Sequence, residues 1–334
     1  MSRKASIITG ATGQDGSYLC ELLLEKGYDV KCLVRRSTYD IETGNLKPVL
    51  NRIQLYEGDI LDQPVVHKII NDCGEYDRIE IYNLAAQSHV HTSFRCPSYT
   101  FETNTTGILN ILESVRQSSD PSKYRVYQAS TSEMFGKVRE TPQTEETPFY
   151  PRSVYGVSKL AAHWLVKNYR ESYGMYACSG ILFNHESPRR GADFVTKKIT
   201  DGVKQIVKGE REFLELGNLN AARDWGHAKD YVEAMWLMLQ QEEADEYVVA
   251  TGETHSVRQF VEMCFKEVGK EITWEGAAEK EVGLVDGKVV IKVSPKFYRP
   301  CEVDALIGNA SKIKNIGWVQ KNTVHDLIKD MMTS

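Results

Sequence analysis

Three glycines spaced three residues apart constrain this chain more than any other feature. Gly10, Gly13 and Gly16 lie between a predicted buried strand, residues 5–9, and an amphipathic helix that ends at Gly27. The first glycine permits a tight turn, the second lets the main chain approach a pyrophosphate, and the third lets helix and strand pack closely. The helix N-terminus offers free N–H groups and a positive dipole end to that anion. The pattern therefore predicts a dinucleotide at one end of a sheet.

The first half of the chain alternates strands with helices. Further strands are predicted at residues 29–34, 53–56, 79–85 and 124–129, with helices at 65–71 and 104–116. Such alternation is typical of an α/β fold of the Rossmann type, a doubly wound parallel sheet with helices on both faces.

The regular alternation of predicted strands and helices weakens after residue 184. Helices are predicted at 194–208 and 232–239, a strand at 247–250, and strand and loop at 270–304. We therefore expect a nucleotide-binding Rossmann domain at 1–184, with return segments near 221–252. Residues 185–334 should form mainly a smaller α/β substrate domain. The polar stretch 37–52 lacks periodicity and is predicted to be a mobile or partner-contacting loop.

Size and composition exclude several classes of function. The 334 residues suffice for a large core and about two domains. A net charge of −5 argues against a general nucleic-acid binder, and no apolar run approaches the ~20 residues that span a membrane. Met1 to Lys4 run directly into a predicted strand, so no signal peptide is expected. Seven scattered cysteines without a Cys-x-x-Cys pair favour a reducing compartment, the cytoplasm or a host cytosol.

Metal binding is not expected. His89 and His91 form the closest histidine pair, and no third ligand follows at the spacing of a zinc site.

The end of the second strand indicates which dinucleotide binds. NAD sites usually place an acid about 20 residues past the glycines, to hold the ribose 2′-hydroxyl. This chain has Arg35, Arg36 and Ser37 there, and guanidinium groups attract a 2′-phosphate. NADP is therefore preferred, with a solvated arginine pair as the alternative. Asp59 follows the third strand and either bonds the adenine amine or caps the next helix.

Tyr155 and Lys159 form a second pattern. Four residues apart on a helix, their side chains share one face. A tyrosine that acts as a base must ionise, and lowering its pKa from about 10 to near 7 takes about 4 kcal/mol. A nearby ammonium and a positive nicotinamide ring in a dry pocket are expected to supply that energy. The alternative is two unconnected residues on an amphipathic helix.

Polar residues follow the fifth strand. Since ligands of doubly wound sheets bind beyond the carboxyl ends of strands, Thr131 and Glu133 should point towards the cofactor. Thr131 can hydrogen-bond a substrate hydroxyl beside Tyr155. Glu133 can take a proton from a carbon next to a new ketone, or it is merely the first-turn acid of a helix capped by Thr131 and Ser132.

Seven stretches, spread over most of the chain, resemble a single protein family. They are TGATGQDGSY (9–18), LVRRS (33–37), NLAAQSHV (83–90), QASTSEMFG (128–136), LFNHESPRRG (182–191), AARDWGHAKDY (221–231) and YRPCEVD (298–304). The chain resembles the GDP-mannose 4,6-dehydratase family of extended short-chain dehydrogenases/reductases. It differs at Ala192 and Asp193, where the family usually has Glu-Thr, and in the loop 38–52.

The resemblance implies roles for individual residues. Those expected to contact NADP are Gly10, Thr12, Gly13, Gln14, Asp15, Gly16, Arg35, Arg36, Ser37, Asp59, Ile60, Leu84, Ala85, Ala86, Ser88, Tyr155, Lys159, His185 and Arg190. Those expected to hold the sugar nucleotide are Ser88, Asn184, Arg190, Lys198, Gly217, Arg223, Arg299 and Glu302. The catalytic set is Thr131, Ser132, Glu133, Tyr155 and Lys159. Ser132 stands where dehydratases of dTDP-glucose carry an aspartate, which leaves Glu133 a larger share of the proton transfer.

The implied reaction converts GDP-mannose to GDP-4-keto-6-deoxy-mannose without net redox change, a first step towards GDP-fucose or GDP-rhamnose. Tyr155, helped by Thr131, removes the C4 hydroxyl proton, Glu133 removes the C5 proton, and water leaves from C6. Hydride passes from C4 to the bound NADP and returns to C6. A sugar-nucleotide 4-epimerase or 4-keto reductase, the latter also as a side activity, is the enzymatic alternative, and a non-catalytic NADP sensor is a remote one. A homodimer or homotetramer is expected.

Overall fold

The computed structural model describes residues 3–36, 44–298 and 306–334. The strands are β1 Lys4–Thr9, β2 Asp29–Val34, β3 Gln54–Glu57, β4 Arg78–Asn83, β5 Tyr124–Thr131, β6 Tyr176–Leu182, β7 Asn184–Glu186, β8 Leu214–Leu216, β9 Ala222–Arg223, β10 Trp225–His227, β11 Glu246–Val249, β12 His255–Ser256, β13 Thr273–Glu275, β14 Val282–Val285 and β15 Lys288–Val293. The helices are α1 Gln14–Glu25, α2 Gln63–Asn71, α3 Val90–Arg95, α4 Pro97–Arg116, α5 Val154–Tyr173, α6 Val195–Val207, α7 Ala228–Met238, α8 Val257–Glu267, α9 Ser311–Asn315 and α10 Val324–Thr333.

Seven parallel strands form the main sheet in the order β11-β6-β5-β4-β1-β2-β3. Apolar side chains cover both of its faces, which is why these strands read as nearly continuous hydrophobic runs. The doubly wound α/β sheet predicted from the sequence is thereby confirmed. The strand predicted around Tyr247 lies at the sheet edge, where β11 pairs with β6. Strand order reverses between β1 and β4, and at such a point the carboxyl ends of the strands open a crevice for a ligand.

A second core lies between a four-stranded sheet, β13-β14-β15-β8, and helices α6, α8 and α10. Trp225, Phe260 and Phe265 are among its buried side chains. The sequence reasoning missed α8 and α10, although each begins with a capping box, Ser256 with Gln259 and Thr323 with Asp326. No helix in the described ranges is long and apolar enough to cross a membrane.

Residues 44–52, the described part of the loop expected at 37–52, are ordered in part as a helix. A 3-10 helix spans Lys47–Arg52, and Leu46 and Val49 are buried in the core that contains α1. The Asn45 side chain donates a hydrogen bond to the Thr12 carbonyl at 3.1 Å. Two apolar residues three positions apart are enough to anchor the segment, although they are too few to produce a periodic pattern. Residues 37–43 lie outside the described part of the chain.

Candidate active site

A cleft of about 960 Å³ opens at the carboxyl ends of the central strands and extends towards the second core. Most of the predicted site residues line it. They are Gly10, Gly13, Gln14, Asp15, Gly16, Leu84, Ala86, Ser88, Thr131, Ser132, Glu133, Tyr155, Lys159, Asn184, His185, Arg190, Lys198, Gly217 and Arg223. Within the described ranges, no group of three His, Cys, Asp or Glu side chains is placed to hold a metal ion.

Several predicted residues lie elsewhere. Thr12, Ala85, Arg35, Arg36, Asp59 and Ile60 do not line the cleft, and Ser37, Arg299 and Glu302 fall outside the described residues. Ile60 is buried in the core, in contact range of Gly107. The Asp59 carboxylate accepts the Leu61 N–H at 2.9 Å. Asp62, not Asp59, precedes α2, so the helix-cap alternative for Asp59 is wrong.

The glycine turn is shaped for a ligand that needs close main-chain approach. Gly10 has a φ of +69°, and a Cβ there would lie 2.8 Å from the Ala85 nitrogen. A Cβ on Gly16 would lie 2.4 Å from the Gly10 carbonyl oxygen. Helix α1 starts after Gly13, which has no side chain to cap it, so its first N–H groups face the cleft. A pyrophosphate fits this arrangement.

Two arginines at the end of β2 are exposed beyond the cleft. Arg35 donates a hydrogen bond from Nη1 to the hydroxyl of Tyr99 at 2.6 Å. Tyr99 belongs to the first turn of α4. The predicted arginine pair thus lies at the end of β2, the strand next to β1 and its glycine turn. At this place dinucleotide sites recognise the ribose 2′ position.

Thr131 and Glu133 enter the cleft through a tight turn. Thr131 Oγ1 accepts the Glu133 N–H at 3.2 Å and caps a 3-10 turn over Ser132–Met134. This turn lies against the start of α5, since a Cβ on Gly156 would come within 2.8 Å of the Glu133 carbonyl. Glu133 is thus a first-turn acid, as the alternative reading expects. Its side chain is nevertheless buried, lines the cleft and acts electrostatically on Tyr155.

The pKa of Tyr155 differs from the sequence expectation. The pKa is raised to about 12, chiefly by burial; a hydrogen bond with Thr131 acts to lower it, and the Glu133 charge acts to raise it. Arg190 is the cation that opposes this effect. The lowering predicted from Lys159 is not found among these causes. The protein's own groups therefore keep the phenol neutral at physiological pH.

Lys159 is held by a buried chain of hydrogen bonds that crosses the sheet. Its Nζ donates to the Ala129 carbonyl at 2.9 Å, and the Gln128 amide donates to the same oxygen at 3.0 Å. Gln128 accepts from Asn83 at 2.7 Å, and Asn83 accepts from Thr9 at 2.8 Å. Burial lowers the pKa of Lys159 to about 8. The ammonium thus has a fixed place beneath the cleft.

Asp15 and His185 form an ion pair inside the cleft. The His185 Nε2 lies 2.7 Å from Asp15 Oδ2, and its Nδ1 lies 2.7 Å from the Phe183 carbonyl oxygen. Burial opposes protonation of His185, but the Asp15 carboxylate outweighs it and raises the pKa of the imidazole. The ring stacks on Tyr231 with centroids 4.5 Å apart. The family resemblance predicted both residues, but no sequence signal indicated that they pair.

Basic residues line the outer part of the cleft. Arg190 Nε lies 2.9 Å from Glu186 Oε2, and its guanidinium covers the Phe194 ring at 3.6 Å. Lys198 Nζ donates to the Glu215 carbonyl at 2.7 Å. Burial, followed by the charge of Lys296, lowers the pKa of Lys198 to about 8.

Further cleft residues complete this basic region. Arg223 is buried and donates to the Ala222 carbonyl at 2.8 Å. Arg211 and Lys296 also line the cleft and were missed, because each lies in a stretch without a recognisable motif. Several cations that share the cleft with the buried Glu133 carboxylate suit an anionic ligand with an uncharged reacting part.

Comparisons with known proteins agree with this geometry. A family model described as GDP-mannose 4,6 dehydratase matches residues 7–331. A GDP-mannose 4,6 dehydratase of Drosophila melanogaster is 53% identical over 98% of this chain and 85% of its own length. The protein of that name from Homo sapiens is 51% identical over 99% of this chain and 91% of its own length.

Solved structures share the fold. A UDP-glucose 4-epimerase of Thermus thermophilus in complex with NAD is 26% identical over 98% of both chains, with a TM-score of 0.79. A dTDP-glucose 4,6-dehydratase of Bacillus anthracis in complex with NAD is 21% identical over 99% of this chain and 96% of its own, also with a TM-score of 0.79. Family model and relatives together show that the chain belongs to the GDP-mannose 4,6-dehydratase family.

Proposed function

We propose that this protein is a hydro-lyase that dehydrates GDP-mannose to GDP-4-keto-6-deoxy-mannose with a bound nicotinamide cofactor. One observation carries the proposal: Thr131, Glu133 and Tyr155 meet at one place in the cleft, within electrostatic reach of one another. A phenol and a carboxylate so placed can act on adjacent carbons of one hexose. The Drosophila and human relatives both carry the name GDP-mannose 4,6 dehydratase, which supports the substrate. The product would lead towards GDP-fucose or GDP-rhamnose.

Each group of the chain has one task in this proposal. Tyr155, hydrogen-bonded to Thr131, takes the proton of the C4 hydroxyl. The ketone formed at C4 acidifies the C5 hydrogen, which Glu133 removes and delivers to the departing C6 hydroxyl. Lys159, fixed by its bond to the Ala129 carbonyl, would hold the cofactor, and Ser132 would hydrogen-bond the sugar. A nicotinamide held at the glycine turn and beside Lys159 would supply hydride transfer between C4 and C6, and it would have to remain bound through the cycle.

The nicotinamide cofactor we propose is NADP. Support comes from Arg35 and Arg36 at the end of β2, in the position where NAD sites usually carry an acid. Guanidinium groups bind phosphate strongly and bidentately, whereas a carboxylate would repel it. The glycine turn and the start of α1 would hold the pyrophosphate.

Glu133 favours dehydration over the alternatives. A 4-epimerase or 4-keto reductase needs the phenol and the cofactor but no base at C5. The buried carboxylate beside Tyr155 has a task only when a carbon proton is removed. A 4-keto reductase side activity uses the same phenol and remains compatible with the site.

Mass spectrometry of the product tests the function. Incubation with GDP-mannose and catalytic NADP should give a product lighter by one water, without accumulation of NADPH. Glu133→Gln should abolish this product while NADP binding is retained, because the amide cannot accept a proton. Glu102→Gln, on the exposed surface of α4, is the control. Dehydration at a near-normal rate by Glu133→Gln would refute this role. In a parallel incubation with added NADPH, stoichiometric consumption of NADPH would indicate a reductase.

We further propose a homodimer or homotetramer in the cytoplasm. Helices α4 and α5 present large apolar side chains to solvent, among them Phe101, Val157 and Trp164, the last of which is 52% exposed. Exposed apolar side chains concentrated on two packed helices support an interface there. Six free cysteines in the described ranges are compatible with a reducing compartment. Light scattering of the wild type and of Trp164→Glu tests the interface, which the added charge should disrupt.

A further inference from the structure

The first turn of α4 is held rigidly against the segment that follows β4. Thr100 is fully buried, and its hydroxyl oxygen lies 2.8 Å from the Cys96 carbonyl oxygen and 3.1 Å from Gln87 Oε1. Asn104 accepts the Gln87 N–H at 2.9 Å and donates to the Ser158 hydroxyl at 2.9 Å. These bonds connect α4 with the cleft wall and with α5. Tyr99 stands on this rigid turn, next to Thr100.

The end of β2 is also held in place. Val34 is buried and pairs with Glu57 of β3, and its carbonyl accepts the Gly58 N–H at 3.0 Å. Arg35 follows directly and carries an exposed side chain. The main-chain segments that carry Arg35 and Tyr99 therefore have little conformational freedom. Without a hydrogen-bond partner, however, the Arg35 side chain would populate many rotamers.

We propose that Tyr99 is a specificity-determining residue, which positions Arg35 to receive the 2′-phosphate of NADP. The inference rests on the proposed cofactor and names a residue that no glycine or arginine motif contains. The Tyr99 hydroxyl accepts one N–H of the guanidinium at 2.6 Å. Since an arginine offers five donors, the remaining N–H groups stay available for a phosphate. Tyr99 thereby orders the side chain before the ligand arrives.

Because Tyr99 orders the Arg35 side chain in advance, it should affect the affinity only of ligands that bind to Arg35. Ordering one rotamer-rich side chain on binding typically weakens affinity by about threefold to tenfold. Removal of the Tyr99 hydroxyl should therefore weaken NADP by that factor. Affinity for NAD should not change, because NAD has a 2′-hydroxyl in place of the phosphate.

Calorimetric titration of the purified full-length protein tests this effect. The probes are NADP and NAD, together with adenosine 2′,5′-bisphosphate and 5′-AMP, which separate the phosphate contact from the nicotinamide half. Tyr99→Phe keeps the ring and removes only the hydroxyl. It should lower the affinity ratio of NADP to NAD by about threefold to tenfold, with the same change for the bisphosphate relative to 5′-AMP. Tyr150→Phe, at an exposed tyrosine before α5, should leave both ratios unchanged.

Double variants distinguish positioning from direct contact. In an Arg35→Ala background, Tyr99→Phe should have no further effect on NADP, because Tyr99 acts through Arg35. In an Arg36→Ala background, its effect should persist. An effect that survives Arg35→Ala would overturn the inference and indicate that Tyr99 contacts the ligand directly. Equal weakening of NADP and NAD by Tyr99→Phe would overturn it as well.

The outcomes also separate this inference from the proposed function. If the wild type binds NAD at least as tightly as NADP, the proposed cofactor and the role of Tyr99 both fail. If NADP is preferred and Tyr99→Phe leaves the ratio unchanged, only the inference fails. If the ratios respond as expected while GDP-mannose is not dehydrated, the proposed reaction fails and Tyr99 keeps its role.

Discussion

Lys159 should destabilise the folded protein at neutral pH, and its replacement should reveal by how much. Burial lowers the pKa of Lys159 to about 8 from an ordinary value of 10.5, while Asp15 acts in the opposite direction. The side chain is only 3% exposed, so solvent screens little of this effect. At ~1.36 kcal/mol for each pH unit, the difference corresponds to about 3 kcal/mol. This energy opposes folding at every pH at which Lys159 is charged in the folded protein.

Lys159→Met removes the buried charge and also one hydrogen bond to the Ala129 carbonyl. The lost bond costs about 1 kcal/mol. Cofactor-free Lys159→Met should therefore be inactive and yet more stable than the wild type by about 2 kcal/mol at pH 7. This gain has to shrink as the pH rises. Between pH 8 and 10.5 the folded wild type releases the proton while the unfolded chain keeps it, so wild-type stability increases.

Urea unfolding at pH 7, 8, 9 and 10 measures the effect as a difference in unfolding free energy between Lys159→Met and the wild type. The difference should fall steadily and approach a reversal of sign near pH 10, where only the lost hydrogen bond remains. Lys229→Met, at a side chain that is 53% exposed, controls for the loss of a lysine as such. A difference between Lys159→Met and the wild type that stays constant across this range would refute the reasoning.

Two further substitutions test other parts of the molecule. Gly16→Ala should lower the unfolding free energy by about 1–3 kcal/mol, because its Cβ would lie 2.6 Å from the Ala11 Cα; Gly13→Ala should have less effect, since its Cβ meets only one atom at 3.3 Å. Burial opposes ionisation of Glu246, but Arg170 lowers its pKa to about 2. Glu246→Gln should thus lower the unfolding free energy at pH 7 by up to about 3 kcal/mol, as measured by urea unfolding. The difference from the wild type should become smaller as the pH falls below 4.5.

Local patterns were sufficient to predict the frame of the site. The spacing of Gly10, Gly13 and Gly16 indicates a strand, a turn and a helix in succession, and β1 and α1 confirm this order. Tyr155 and Lys159 share one helix, so their spacing alone places them on the same face. Such features depend on neighbours in the chain, which a sequence displays directly.

Contacts between distant segments could not be predicted from these patterns. Asp15 and His185 are 170 positions apart and meet because β1 and β6 end at the same edge of the sheet. The hydrogen bond of Arg35 to Tyr99 likewise depends on where α4 begins relative to β2. Neither pair has a periodicity or a motif of its own. Only the three-dimensional arrangement of the strand ends determines them.

The pKa of Tyr155 shows how contacts between distant segments of the chain determine a chemical property of a side chain. The helix spacing suggested that Lys159 would promote ionisation of the phenol. Burial and two carboxylates, Glu133 and Asp15, act against ionisation, and Arg190 is the cation that offsets part of their effect. The four segments that contain Tyr155, Glu133, Asp15 and Arg190 adjoin only in the folded protein. Because the chain alone keeps the phenol neutral, proton removal by Tyr155 requires additional positive charge in the cleft, which couples the chemistry to ligand binding.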